Sequence, residues 1–159
     1  MEDKNMADMK KAKEVFDTLT RMLDGIGWHY DKHEEKLLVK SGVRSEDFPI
    51  EFIVVVQPEN EVVQFLSRLP FEMSEEKRID GAIAVCVANN GLRDGSFDYD
   101  ISDGTIIFRL TSSYRESTLG EKLFEYMIML SSNIIDQYND KFFMLSKGMM
   151  TLQQFMEQG

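Results

Sequence analysis

The feature that most restricts the fold is one apolar stripe in the last third of the chain. Leu119, Leu123, Tyr126, Met127, Leu130, Ile134, Tyr138, Phe142 and Leu145 recur at helical spacing for about seven turns. A helix of that length with one apolar side must lie on an equally long apolar surface, so the rest of the chain has to supply one. Thr118 followed by Glu121 has the pattern of a capping box. The spacing therefore predicts a long helix over about 118–147, interrupted at Gly148. Beyond that glycine Met149, Leu152, Phe155 and Met156 keep the period, which predicts a tail helix over about 149–157, reached by a kink or a restart.

The supporting surface reads as a sheet. A first amphipathic helix runs from Met6 to Leu23, with Met9, Ala12, Val15, Phe16, Leu19, Met22 and Leu23 on one side and Gly25 and Gly27 ending it. Two short segments of strand composition follow, Trp28-His29-Tyr30 and Leu37-Leu38-Val39. Glu51–Gln57 and Glu61–Leu69 form a hairpin around Pro58-Glu59-Asn60. The run Phe52-Ile53-Val54-Val55-Val56 is apolar at both parities, which predicts a central strand covered on both faces. Ser74 is placed to cap a middle helix whose narrow stripe is Ile79, Ala82, Ile83, Cys86 and Val87, ending at Asn89-Asn90-Gly91. From Ser96 the period changes to two, and Ser102-Asp103-Gly104 joins a strand of Phe97, Tyr99 and Ile101 to one of Ile106, Phe108 and Leu110. The result is an α+β domain, an antiparallel sheet packed against helices in the order α-β-β-β-α-β-β-α, spanning residues 1–159 as a single unit.

Several function classes are excluded by charge and length. The chain has 28 acidic against 18 basic side chains, a net charge of −10. Affinity for polyanions comes from lysine and arginine displacing counterions, so nucleic acid and anionic membrane are not expected partners. The longest uncharged run, Gly81 to Leu92, is too short to cross a bilayer. The charged start Met1-Glu2-Asp3-Lys4-Asn5 does not read as a secretory signal, so a cytoplasmic location is expected. Cys86 is the only cysteine and lies on the predicted stripe of the middle helix, where it reads as a small buried hydrophobe.

Three stretches resemble a known family. They are Ala88-Asn89-Asn90, then Gly95-Ser96-Phe97-Asp98-Tyr99-Asp100, then Gly104-Thr105-Ile106-Ile107-Phe108-Arg109. The pattern is similar to that of the YbjN family, candidate bacterial sensory-transduction regulators. In that family an asparagine ends the middle helix, a Gly-x-Phe-x-apolar-Asp strand follows, and a Gly-x-Ile-x-aromatic-Arg strand completes the hairpin. The second asparagine, the residues Leu92-Arg93-Asp94 and the Met-rich tail depart from it. The resemblance implies the type III secretion chaperone-like fold, and with it a non-enzymatic chaperone-like or regulatory adaptor that binds another protein and forms a homodimer.

No residue constellation marks a catalytic site. His29 and His33, with Asp31, Glu34 and Glu35, invite an alternative reading as a small-ligand or metal site. Along a strand, however, residues four apart lie about 13 Å from each other, too far to share a metal. Asp98, Asp100 and Asp103-Gly104 miss the EF-hand pattern, whose sixth and twelfth positions hold Asp103 and Arg109 here. No nucleophile elbow, Walker loop or dinucleotide fingerprint is present, and no cofactor is expected. The remaining oddity is methionine, 11 residues in 159, gathered towards the C-terminus. Flexible, polarizable methionines suit a surface that accepts varied apolar partners. Met129 and Phe143 fall on the otherwise polar side of the long helix, so Met129, Phe143, Met149 and Met150 are the expected partner-binding residues.

Overall fold

The structure, a computed structural model, describes residues 1–158. In chain order it has α1 (Glu2–Gly25), β1 (Asp31–His33), β2 (Leu38–Val43), β3 (Ile50–Gln57), β4 (Val62–Glu72), α2 (Arg78–Asn90), β5 (Ser96–Asp100), β6 (Thr105–Ser113), α3 (Glu121–Ser146) and α4 (Leu152–Gln158). The strands form one antiparallel six-stranded sheet in the order β1-β2-β3-β4-β6-β5. The long stripe finds its platform as required: α3 packs across β3, β4 and β6, and α1 lies alongside it against β3. A chain of rings continues the core, from Phe52 stacked on Phe65 at 4.7 Å, through Phe108 and Phe97, to Phe142 of α3 and Phe155 of α4. Gly148, at φ +71°, ends α3 in the left-handed region, so the tail restarts as α4 rather than kinking.

Several local expectations are corrected. The first strand is Asp31–His33 rather than the preceding aromatic segment, because Trp28 and His29 are tied to β2 instead. Trp28 Nε1 donates to Ser41 Oγ at 2.7 Å and Ser41 Oγ donates to the His29 carbonyl at 2.6 Å. The Ser74 hydroxyl does not cap α2; it donates to the Ser146 carbonyl at 2.9 Å and so fastens the end of α3 to the sheet. The Thr118–Glu121 box does not form either, and Gly120 is the N-cap of α3. Met9 and Tyr126 are exposed rather than in their stripes, and Ile101 lies in an exposed turn. That turn is set by Gly104, at φ +82°, whose backbone oxygen accepts from Met73 N–H at 2.9 Å.

Two corrections affect function. In β3 the even residues Ile50, Phe52, Val54 and Val56 are buried, while Ile53 and Val55 are only half-buried, so the strand is not covered on both faces. The helices all pack on one side of the sheet, and its other side is open. In α2 the buried residues are Gly81, Ala84, Val85 and Ala88, and the predicted stripe points the other way. Ile79 is 71% exposed, Ile83 is 41% exposed, and Cys86 is an exposed thiol rather than a core residue. The physical reason is space. The Tyr99 hydroxyl donates to the Arg78 carbonyl at 2.7 Å and crowds Gly81, so only the small residues of the helix fit against β5.

Candidate protein-binding site

Strand parity builds the open face. Side chains alternate along each strand, so the residues not committed to the core converge on one surface. Register places Ile53 opposite Leu66, Leu66 opposite Arg109, Arg68 opposite Ile107, and Val55 opposite Leu38. Leu38, Ile53, Val55, Leu66 and Ile107 are all half-buried apolar residues on that surface. They line up across β2, β3, β4 and β6 as an apolar strip, and none of the described helices lies over it.

A groove of about 970 Å³ runs over part of this strip, lined by Ile53, Leu66 and Ile107 together with Lys40, Glu51 and Arg68. Its end is walled by His29 and Tyr30, held there by the Trp28–Ser41–His29 hydrogen bonds. The Tyr30 hydroxyl donates to Asp24 Oδ1 at 2.7 Å. Burial, with the Asp24 carboxylate next, pushes its pKa up to about 12, so the hydroxyl keeps its proton and its hydrogen bond to Asp24 well into the alkaline range. The cations beside the strip are partly occupied laterally. Arg68 pairs with Glu72 at 2.7 Å and Arg109 with Asp98 at 3.0 Å, so their aliphatic stems lie beside the apolar strip. Lys40 is in no ion pair among the described residues. An apolar floor with a charged but nearly balanced margin can take apolar side chains of another protein while orienting its polar groups. It presents no paired nucleophile and base.

The sequence-predicted residues are dispersed. Met129 on α3 is 41% exposed and Met149, after the helix, is 69% exposed, and about 25 Å of helix separates Met129 from the end of α3. Phe143 is half-buried in a triangle of rings within the chain, 5.1 Å from Phe48 and 5.4 Å from Phe71. Met150 is part of the core and offers no surface in the folded chain. His29 lies on the groove wall, whereas His33 sits on β1 outside the groove lining. Among the described residues no three His, Cys, Asp or Glu side chains group as a metal site would require. The groove residues themselves were signalled by the double-parity run Phe52–Val56. That run marks a strand with apolar residues on both sides, and what covers the second side need not belong to the same chain.

At the level of sequence, no protein-family model and no curated protein matches the chain. Solved structures do share its fold. YbjN from E. coli, a candidate transcription regulator, superposes with a TM-score of 0.57 at 13% identity, over 79% of this chain and 91% of that one. A chain of the ExsC–ExsE complex gives 0.52 at 11% identity, over 80% and 92%. A chain of the HopA1–SchA chaperone–effector complex gives 0.53 at 8% identity, over 79% and 94%. The chain thus has an α+β fold shared with YbjN and with one chain of each of these two complexes, as the Ala88 to Arg109 resemblance implied.

Proposed function

We propose that this α+β chain is a non-enzymatic protein-binding domain, a chaperone-like or regulatory adaptor that holds an apolar segment of a partner protein on the open face of its sheet. The observation that carries this reading is the uncovered strip of Leu38, Ile53, Val55, Leu66 and Ile107. Soluble chains rarely leave a contiguous apolar face without an occupant. Two of the structures with this fold come from complexes with a second protein, which supports a protein as the occupant. The net charge of −10 keeps such a face soluble while it is empty. The adaptor works in the cytoplasm as a homodimer. Among the described residues no helix is long and apolar enough to cross a membrane.

The test is affinity capture from the native cell with the parent chain and with the Ile53→Lys, Leu66→Lys double variant. These two residues face each other across β3 and β4, so the variant places two charges in the groove floor without touching the core. A protein retained by the parent and lost by the variant, at equal circular dichroism, is the expected result. Identical captured sets would remove the sheet face from the account.

A further inference from the structure

The short helix α4 touches the rest of the chain through few side chains. Over residues 151–158 only Phe155 is buried and only Leu152 is half-buried. Phe155 enters the angle between α2 and α3, where its ring lies 5.3 Å from that of Phe142 and 6.4 Å from that of Tyr138. Those two rings also pack on Phe97 of β5, at 5.2 and 5.6 Å, so α3 and β5 assemble the floor of this cleft without α4. Among the described residues no ion pair joins α4 to its surroundings, and Lys141 Nζ donates one exposed hydrogen bond to the Gln158 carbonyl at 3.2 Å. The helix instead organises itself: Thr151 N–H donates to Gln154 Oε1 at 2.9 Å, and Gln154 N–H donates to Thr151 Oγ1 at 3.1 Å, a closed capping box. The chain just before it is pinned, because Met150 is buried and its N–H donates to the Met144 carbonyl at 3.2 Å. α4 is thus a self-capped unit on a fixed anchor, held chiefly by one aromatic side chain.

We propose that α4 is a displaceable plug, and that the cleft beneath it, between α2 and α3 over Tyr138 and Phe142, is a docking site for an amphipathic helix with an aliphatic and an aromatic residue three apart. α4 itself shows what the cleft accepts: Leu152 and Phe155 are the two anchors of a helix laid in a groove. The cost of ordering residues 151–158 stands against the burial of one ring and part of one aliphatic side chain, so α4 opens locally far more often than the domain unfolds. While closed it competes as an intramolecular ligand, and an external helix binds only in proportion to the open fraction. The cleft lies on the helix-covered side of the sheet, so this inference goes beyond the open-face reading and is independent of it.

Native-state hydrogen exchange of the full chain, with a binding assay for a fluorescent peptide of residues 149–158, tests it. In the parent the Phe155 amide, bonded to the Thr151 carbonyl at 3.0 Å, is expected to exchange about a hundredfold or more faster than the Phe142 amide of α3. Phe155→Ala should empty the cleft and tighten the Kd for the peptide by about tenfold or more over the parent, with the Phe142 amide still protected. The Thr151→Ala, Gln154→Ala pair breaks the cap at exposed positions and should move the Kd in the same direction. A peptide carrying Phe155→Ala is expected not to bind. An α4 that exchanges in step with α3, or a Phe155→Ala chain that loses its circular dichroism, makes α4 part of the core and overturns the plug. A peptide that binds neither variant, or that binds as well without its phenylalanine, overturns the docking site.

Discussion

Asn89 at the end of α2 stands in for a missing seventh strand. β5 is an edge strand, and Phe97 within it turns its backbone to Asn89: Phe97 N–H donates to Asn89 Oδ1 at 2.7 Å, and Asn89 Nδ2 donates to the Phe97 carbonyl at 2.9 Å. Asn89→Ala removes both bonds. At about 1 kcal/mol net for each, with a further contribution because Phe97 is buried and water reaches its backbone poorly, the loss is about 2–3 kcal/mol. Alanine's better helix propensity offsets up to about 0.5 kcal/mol of that. A destabilisation of about 2 kcal/mol is therefore expected in urea denaturation, with faster exchange of the Phe97 amide hydrogen as the local signature. Asn89→Asp restores the acceptor but sets a carboxylate against the Phe97 carbonyl, and it should destabilise too. A change below about 0.5 kcal/mol for Asn89→Ala would mean that the edge is held by α2 packing alone, and that the paired amide contacts are incidental.

The two parities of β3 should respond differently: Val54→Asp, at a fully buried position, should unfold or aggregate the chain, whereas Val55→Asp on the open face should cost less than about 1 kcal/mol in denaturant midpoint. Met150→Ala should destabilise by about 2 kcal/mol or more through a core cavity, while Met149→Ala next to it stays within about 0.5 kcal/mol; equal effects would contradict the packing of the tail. The folded pKa of Tyr30 is raised from the free value of 10.0 to about 12, so the unfolded chain ionises first and stability present below pH 10 is lost as pH climbs through that interval. Tyr30→Phe should flatten, though not abolish, the loss between about pH 10 and about pH 12, since Tyr99, Tyr114 and Tyr126 are shifted the same way. An unchanged slope for Tyr30→Phe would remove the Asp24 contact from the alkaline response.

The fold was legible wherever one periodicity dominated. The α3 stripe, the β3–β4 hairpin around Pro58 and the β5–β6 hairpin each follow from spacing alone, because their apolar residues have one possible side to bury. Caps were less legible: Ser74 and Thr118 carry the right chemistry, but Ser74 finds a better partner in Ser146 and Gly120 takes the N-cap of α3. Burial was misread in two places for a related reason. Spacing says that Ile79, Ile83 and Cys86 share a side, and that Ile53 and Val55 share another, without saying whether that side meets this chain or a different one. In both places the side remains uncovered, because small residues on the inner side of α2 and the even residues of β3 already satisfy the core. Phe143 went the other way: it falls on a polar side of its helix, yet Phe48 and Phe71 reach over to enclose it.

The claim that a protein segment occupies the open sheet face is tested most directly by site-specific photo-crosslinking in the native cell. The probe residue is placed in turn at Leu66, in the groove floor, and at Gln137, on the exposed side of α3. The account predicts a discrete heavier species from the Leu66 probe, containing a second protein, and none of that species from Gln137. Crosslinks at Gln137 without any at Leu66 would contradict it.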